Sequence, residues 1–147
     1  MHASPYARLP TLSPAAFDDF GAGHFPGLLG IEMVSTDPRR LRCRAIARPE
    51  LLAPHGFLHG GTLVAVADTM CGYGAIVNLP AGAAGFVTAE LKCNFLGTLR
   101  QGTLVCEATP LHVGRTTQVW DAVVTEETSG RRLAVFRCTQ VVLWPDA

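Results

Sequence analysis

Residues 61–79 place apolar side chains on nearly every side of a helix: Leu63, Val64, Ala65, Val66, Ala67, Met70, Cys71, Ala75, Ile76, Val77 and Leu79. A helix that is hydrophobic all round is a buried one, so the rest of the chain must supply a surface that wraps it. Into this run the sequence sets one carboxylate, Asp68, with Val64, Ala65, Ala67, Cys71 and Gly72 as its helical neighbours. Desolvating an unpaired carboxylate is costly, or raises its pKa until it neutralises. A chain keeps such a group where it works, or where a loop donor or a buried arginine satisfies it. Position alone leaves both readings open.

The turn ahead of the helix reads His59-Gly60-Gly61-Thr62. Two glycines let the backbone approach a ligand closely, and the N–H groups of a first helical turn have no intrahelical acceptor. Such a terminus polarises a carbonyl oxygen or holds an oxyanion. At about 1.5 Å rise per residue, Gly60 and Asp68 stand roughly 12 Å apart on one straight helix. One carbonyl carbon cannot touch both. If the two act on the same reacting centre, they come from two copies of the chain, and the spacing predicts a site shared across a two-fold dimer.

The wrapping surface is legible on both sides of the helix. Residues 1–27 read as an arm and a short helix: residues 1–12 are irregular, and Ser13-Pro14 caps a run with Ala16, Phe17 and Phe20 on one face, ended by Gly21 and Gly23. Residues 28–147 read as a single domain. Within it residues 28–35 form a strand, Asp37-Pro38 a turn, and Leu41, Cys43, Ala45 and Ala47 alternate with Arg40, Arg42, Arg44 and Ile46 in a second strand. After the helix, Val87, Ala89, Leu91, Cys93 and Phe95 alternate with Thr88, Glu90, Lys92 and Asn94, the pattern of a half-buried strand. Residues 102–113, 116–126 and 133–144 follow as strands, with Pro110 marking an edge, a bulge or a bend and Gly114-Arg115 and Ser129-Gly130 as turns. Short links favour antiparallel neighbours, so the fold class is α+β, a curved antiparallel sheet wrapped around a long central helix.

Composition narrows the function. Hydrophobic residues make up 48%, charged residues 16% and the formal net charge is zero, which speaks against nucleic acid or an anionic membrane as partner and suits a chain that buries surface in an oligomer. No run reaches the eighteen or more uncharged apolar residues of a membrane span, and the N-terminal residues lack the apolar core of a signal peptide, so the expectation is a soluble, cytoplasmic protein. The five cysteines are odd in number, widely spaced and without a C-x-x-C pair, which indicates neither a disulfide framework nor a zinc site. No phosphate loop or serine elbow occurs either, so no metal or cofactor is expected. Cys71 has no electropositive sequence neighbour to make it a nucleophile.

At His59-Gly60-Gly61, Ala67-Asp68-Thr69 and Asn94-Phe95-Leu96 the sequence resembles the hotdog-fold acyl-CoA thioesterases, in the branch named for phenylacetic acid degradation within the 4-hydroxybenzoyl-CoA thioesterase superfamily. The likeness spans roughly residues 28–144. It implies that Asp68 attacks the thioester carbon or activates water to do so, and that the Gly60 N–H of the opposite subunit polarises the thioester oxygen. His59 would shape that end of the site, and Thr88 matches a Ser/Thr position that places the water. Gly61, Ala53, His55, Thr69, Gly72, Asn94 and Arg115 are the candidate substrate-binding residues, Arg115 and Arg100 lying where loops of this fold meet CoA phosphates. The implied partners are an acyl-CoA substrate, an aryl or arylacetyl group being favoured, and a second copy of the chain, with dimers pairing into a homotetramer. CoA enters as part of the substrate.

The chain departs from the family pattern twice. Ala53 stands where the family carries Asn or Gln as a second contact to the carbonyl or the water, and Gly97-Thr98 replaces a frequent Arg-Pro. Ala53 keeps a second class open, a non-catalytic acyl-CoA binding module, which binding without cleavage would reveal. A hydratase or dehydratase on the same fold lacks its His-containing acid pair here.

Overall fold

The computed structural model describes Tyr6, Leu9 and residues 11–145; most of the arm expected over residues 1–12 lies outside the described residues. Helix α1, Pro14–Gly21, begins where Ser13 Oγ accepts the Ala16 N–H, with Pro14 pre-set at its first position. Asp18 Oδ1 accepts the Met33 N–H at 2.8 Å, which ties α1 to the first strand.

The strand expected over residues 28–35 starts late. Phe25–Leu29 is a short helix, α2, because Pro26 favours a helical start and Gly30, at φ 70°, closes it in the left-handed region. Strand β1 is Glu32–Asp37, and β2, Arg40–Ala47, shows the expected alternation with Leu41, Cys43, Ala45 and Ala47 inward. A 3-10 turn, Pro49–Leu51, leads to the central helix α3, Gly60–Val77. Strands β3 (Gly85–Phe95), β4 (Gly102–Val113), β5 (Thr117–Glu126) and β6 (Arg132–Leu143) complete one antiparallel sheet in the order β1-β2-β4-β5-β6-β3.

Helix α3 lies across the inner face of this sheet. Its length and apolar composition would fit a membrane span, yet most of it is buried against the strands. Leu63, Val66, Ala67 and Met70 are at or near zero exposure, joined in one core by Leu41, Leu104, Trp120 and Phe136. Two glycines bring the helix close: a Cβ on Gly72 would stand 3.3 Å from Phe86, and one on Gly74 only 2.5 Å from Trp120.

Strand β3 departs from the expected pattern in two ways that matter for the site. A register shift between Thr88 and Glu90 places Thr88 opposite Gln140 and Glu90 opposite Thr139. The extra residue, Ala89, is a β-bulge, and it turns Thr88 onto the helix face that strict alternation would assign to Val87 and Ala89. Second, β3 does not pair with β4, which follows it in sequence; it forms the far edge beside β6. As an edge it leaves Val87, Leu91 and Phe95 exposed by 48%, 42% and 54% in the single chain.

Candidate active site

The bulge aims Thr88 at α3, where its Oγ1 lies 3.1 Å from Asp68 Oδ1. The same hydroxyl lies 2.9 Å from Oε1 of Gln140, a residue with no exposed surface. Asp68 itself is partly buried. Burial pushes its carboxyl above the ordinary range, and the Thr88 hydrogen bond offsets part of that rise. A carboxylate whose proton affinity is raised above the ordinary value is a stronger base than an exposed one.

The start of α3 is fixed separately. His59 is the N-cap; its Nδ1 accepts the Gly61 N–H at 2.8 Å, and its C=O accepts the Thr62 N–H. Leu51 O receives both the His59 N–H and the Thr62 hydroxyl, which pins the turn to the 3-10 segment. With Gly61 and Thr62 satisfied, the Gly60 N–H is left without an acceptor among the described residues. Phe95, from the far end of β3, lies over it, so that a Cβ on Gly60 would stand 3.1 Å from the ring. Gly60 lines a cavity of about 320 Å³ together with His55, Phe57, Leu63, Phe95 and Thr98.

The other expected site residues are placed as follows. Ala53 forms the turn before α3, exchanging backbone hydrogen bonds with Phe57 and Gly56, and its methyl offers no polar contact. The His55 ring lies 5.6 Å from that of Phe57, over which the Arg100 guanidinium stacks at 3.9 Å. Thr69 donates its hydroxyl to Ala65 O at 2.7 Å, and Gly72 serves to admit Phe86, so both belong to the helix and its packing. Gly61 borders a different groove, with Phe25, Leu28 and Leu52, and its N–H is taken by His59. Arg115 lies over the Trp144 ring at 4.5 Å, and its carbonyl accepts the indole N–H. Asn94 lines a groove on the outer face of the sheet with Glu90, Lys92 and Arg137, on the face opposite to Thr88.

Cys71 is buried, and the Cys138 sulfur together with burial drives its thiol well above the ordinary range, the reverse of what a nucleophile requires. Among the described residues no group of three His, Cys, Asp or Glu side chains comes together to hold a metal. Gln140 is the residue that sequence reasoning passed over. Its signal was a polar side chain in the inward frame Ala134, Phe136, Cys138, Gln140, Val142 of β6.

Within one chain, then, the acid and the free N–H do not meet. Asp68 is held near Thr88 and Gly60 near Phe95, towards opposite ends of β3.

Comparison with known proteins bears on what such an arrangement does. Residues 55–138 match the profile of the thioesterase superfamily. The chain is 31% identical to the 1,4-dihydroxy-2-naphthoyl-CoA hydrolase of Listeria monocytogenes, over 78% of this chain and 91% of that protein. A crystal structure of a variant thioesterase from Pseudomonas aeruginosa superposes with a TM-score of 0.84 at 27% identity, covering 89% of this chain and 94% of that one. The PaaI protein of the Escherichia coli phenylacetic acid degradation operon gives 0.77 at 25% identity, over 87% and 90%.

Proposed function

The chain belongs to the thioesterase superfamily and is a thioester hydrolase of the hotdog fold; from that premise we propose that it cleaves acyl-CoA thioesters to the free acid and CoA, with Asp68 as the base or nucleophile and the Gly60 N–H of a partner subunit as the oxyanion donor. The observation that carries this reading is the Thr88-held, partly buried carboxylate of Asp68, paired in the same fold with an N–H that has no acceptor among the described residues. A thioester carbonyl is already electrophilic and a thiolate leaves readily, so one carboxylate and one oxyanion donor are sufficient.

The partner follows from the edge strand. An eleven-residue strand with exposed Val87, Leu91 and Phe95 is a template for pairing with another copy. If two β3 strands pair antiparallel around a two-fold axis, with Thr88 of one opposite Phe95 of the other, each Asp68 comes to the other subunit's Gly60. The homodimer is therefore part of the proposal. So is its pairing into a tetramer, for which the exposed Val34, Ile46 and Leu111 provide apolar surface. An aroyl or arylacetyl substrate is favoured by the name of the Listeria relative and by the aromatic side chains Phe57 and Phe95 beside Gly60. We place the activity in the cytoplasm.

The test is a thiol-release assay over aroyl-, arylacetyl- and straight-chain acyl-CoAs, run beside Asp68→Asn. The variant is expected to keep its fold and oligomeric state and to lose about 10²–10⁴-fold in turnover. Undiminished turnover in a folded Asp68→Asn protein ends the proposal. Ala53, which offers no second polar contact to the carbonyl, favours the binding-module reading; tight binding of the whole panel with no cleavage would establish it.

A further inference from the structure

The hydroxyl of Thr88 has one proton and two acceptors within reach, Asp68 Oδ1 at 3.1 Å and Gln140 Oε1 at 2.9 Å. One proton cannot serve both. Gln140, fully buried, has its Nε2 3.4 Å from Cys138 Sγ, and Cys138 in turn acts to raise the thiol pKa of Cys71, about one turn along α3 from Asp68. The four side chains Asp68, Thr88, Gln140 and Cys138 thus form a connected chain that runs from the central helix through β3 to β6.

Such a chain is satisfied in two directions. With Asp68 neutral, its O–H donates to Thr88 Oγ1, Thr88 donates to Gln140 Oε1, and Gln140 Nε2 donates to Cys138 Sγ. With Asp68 charged, the amide of Gln140 turns over, its oxygen and nitrogen being of nearly equal size. Cys138 then donates its S–H to Oε1, Nε2 donates to Thr88 Oγ1, and Thr88 gives its proton to the carboxylate. A buried primary amide whose side-chain hydrogen bonds among the described residues are to Thr88 and to a weak sulfur acceptor has little structural return for its desolvation. The amide has no charge of its own and carries its donor and its acceptor on separate atoms, so turning it over reverses the hydrogen bonds on both sides at once.

We propose that Gln140 is a positioning residue, which through Thr88 sets the direction of the hydrogen bond at Asp68 and so fixes the carboxylate as an acceptor ready to take a proton from water. This rests on the reading of Asp68 as the reacting acid. The titratable groups that face the chain are Asp68 and Cys71 from α3, Cys138 from β6 and, behind Cys71, Cys106 from β4; Glu90, Lys92 and Arg137 of the flanking strands face outward.

The experiment is a double-mutant cycle of Thr88→Val and Gln140→Met, with Gln140→Glu as a third variant. It reads kcat/KM against pH and, without substrate, the titration of Asp68 by carbon NMR on aspartate-labelled protein. Gln140→Met keeps length and burial but lacks the amide; it is expected to lower kcat several-fold and to move the Asp68 titration up by a few tenths of a pH unit, since cooperative polarisation adds about 10–30% to a hydrogen bond. Gln140→Glu keeps the acceptor, removes the donor and adds a second acid, so the acid limb moves up by about one unit or more. In the Thr88→Val background Gln140→Met should change neither quantity. An unmoved titration in folded Gln140→Met, or effects of the two substitutions that simply add, overturns the proposal. Should Gln140→Met fail to fold, an unmoved acid limb in Gln140→Glu does the same. Full turnover in Asp68→Asn would instead show that the reading of Asp68 itself has failed, and the substrate-free titration keeps the two failures apart.

Discussion

The hydroxyl of Thr88 and the carboxylate of Asp68 meet at 3.1 Å because β3 carries one residue more than its partner strand between Thr88 and Glu90. Without the bulge, Thr88 would share the outer face with Glu90 and Lys92, and Asp68 would sit beside an alanine. Thr88→Val removes the hydrogen bond that lowers the Asp68 pKa. Turnover should fall about tenfold or more, the acid limb of kcat/KM should move to higher pH, and Thr88→Ser should restore both. A valine variant with the wild-type pH profile would show that the hydroxyl has no part in the chemistry.

Stability and activity should answer to Asp68 with opposite signs. Burial holds its carboxyl above the ordinary value in the folded chain, so between the unfolded and the folded pKa the native state binds more protons than the unfolded one. Stability therefore falls as pH rises through that window and stays lower above it, while activity rises. Asp68→Asn, inactive, should melt at a higher temperature than the wild type at neutral pH, and the two should converge below about pH 3, where both forms of the wild type are protonated. Differential scanning calorimetry across pH checks this; a gap that widens toward acid would reverse the sign.

Gly60 allows the oxyanion donor to be removed with little else. His59, at ψ 136°, is extended as the residue before a proline should be, and the first helical position accommodates proline. Gly60→Pro deletes the N–H; Gly60→Ala keeps it while adding the same Cβ against Phe95, which must give by a few tenths of an ångström. Proline should lose about 10²–10³-fold in kcat and alanine far less. If the site is shared, mixing Asp68→Asn with Gly60→Pro subunits should restore about a quarter of wild-type activity, because half of randomly mixed dimers carry one intact site. No recovery on mixing would place both groups in a single subunit.

Gly74 and Gly72 should differ as sites for alanine. At Gly74 a Cβ would stand 2.5–2.9 Å from three ring atoms of the fully buried Trp120, which has no room to move. Overpacking of about 1–3 kcal/mol then exceeds the roughly 1 kcal/mol that alanine returns in helix propensity. At Gly72 the contact is 3.3 Å to the partly exposed Phe86, which can yield, and the substitution should be near neutral. Urea denaturation of the two variants separates them.

The nearly all-round apolar surface of residues 61–79 by itself required a buried helix, and the alternation at residues 40–47 gave the sheet that covers it, since both follow from local periodicity. Asp68 and Gly60 were legible for the same reason: a charge in an apolar run and a glycine pair at a helix start stand out in one dimension. What folding decided is of another kind. Pro26 and Gly30 competed with a strand pattern and won locally. The bulge that brings Thr88 inward is a mismatch between two strands, so neither strand alone encodes it. The edge position of β3, and the pairing of Gln140 with Thr88, join residues 52 positions apart. Periodicity reports which face a residue prefers; which side chains then share that face depends on strand order and register, and these are set only when the whole sheet closes on the helix.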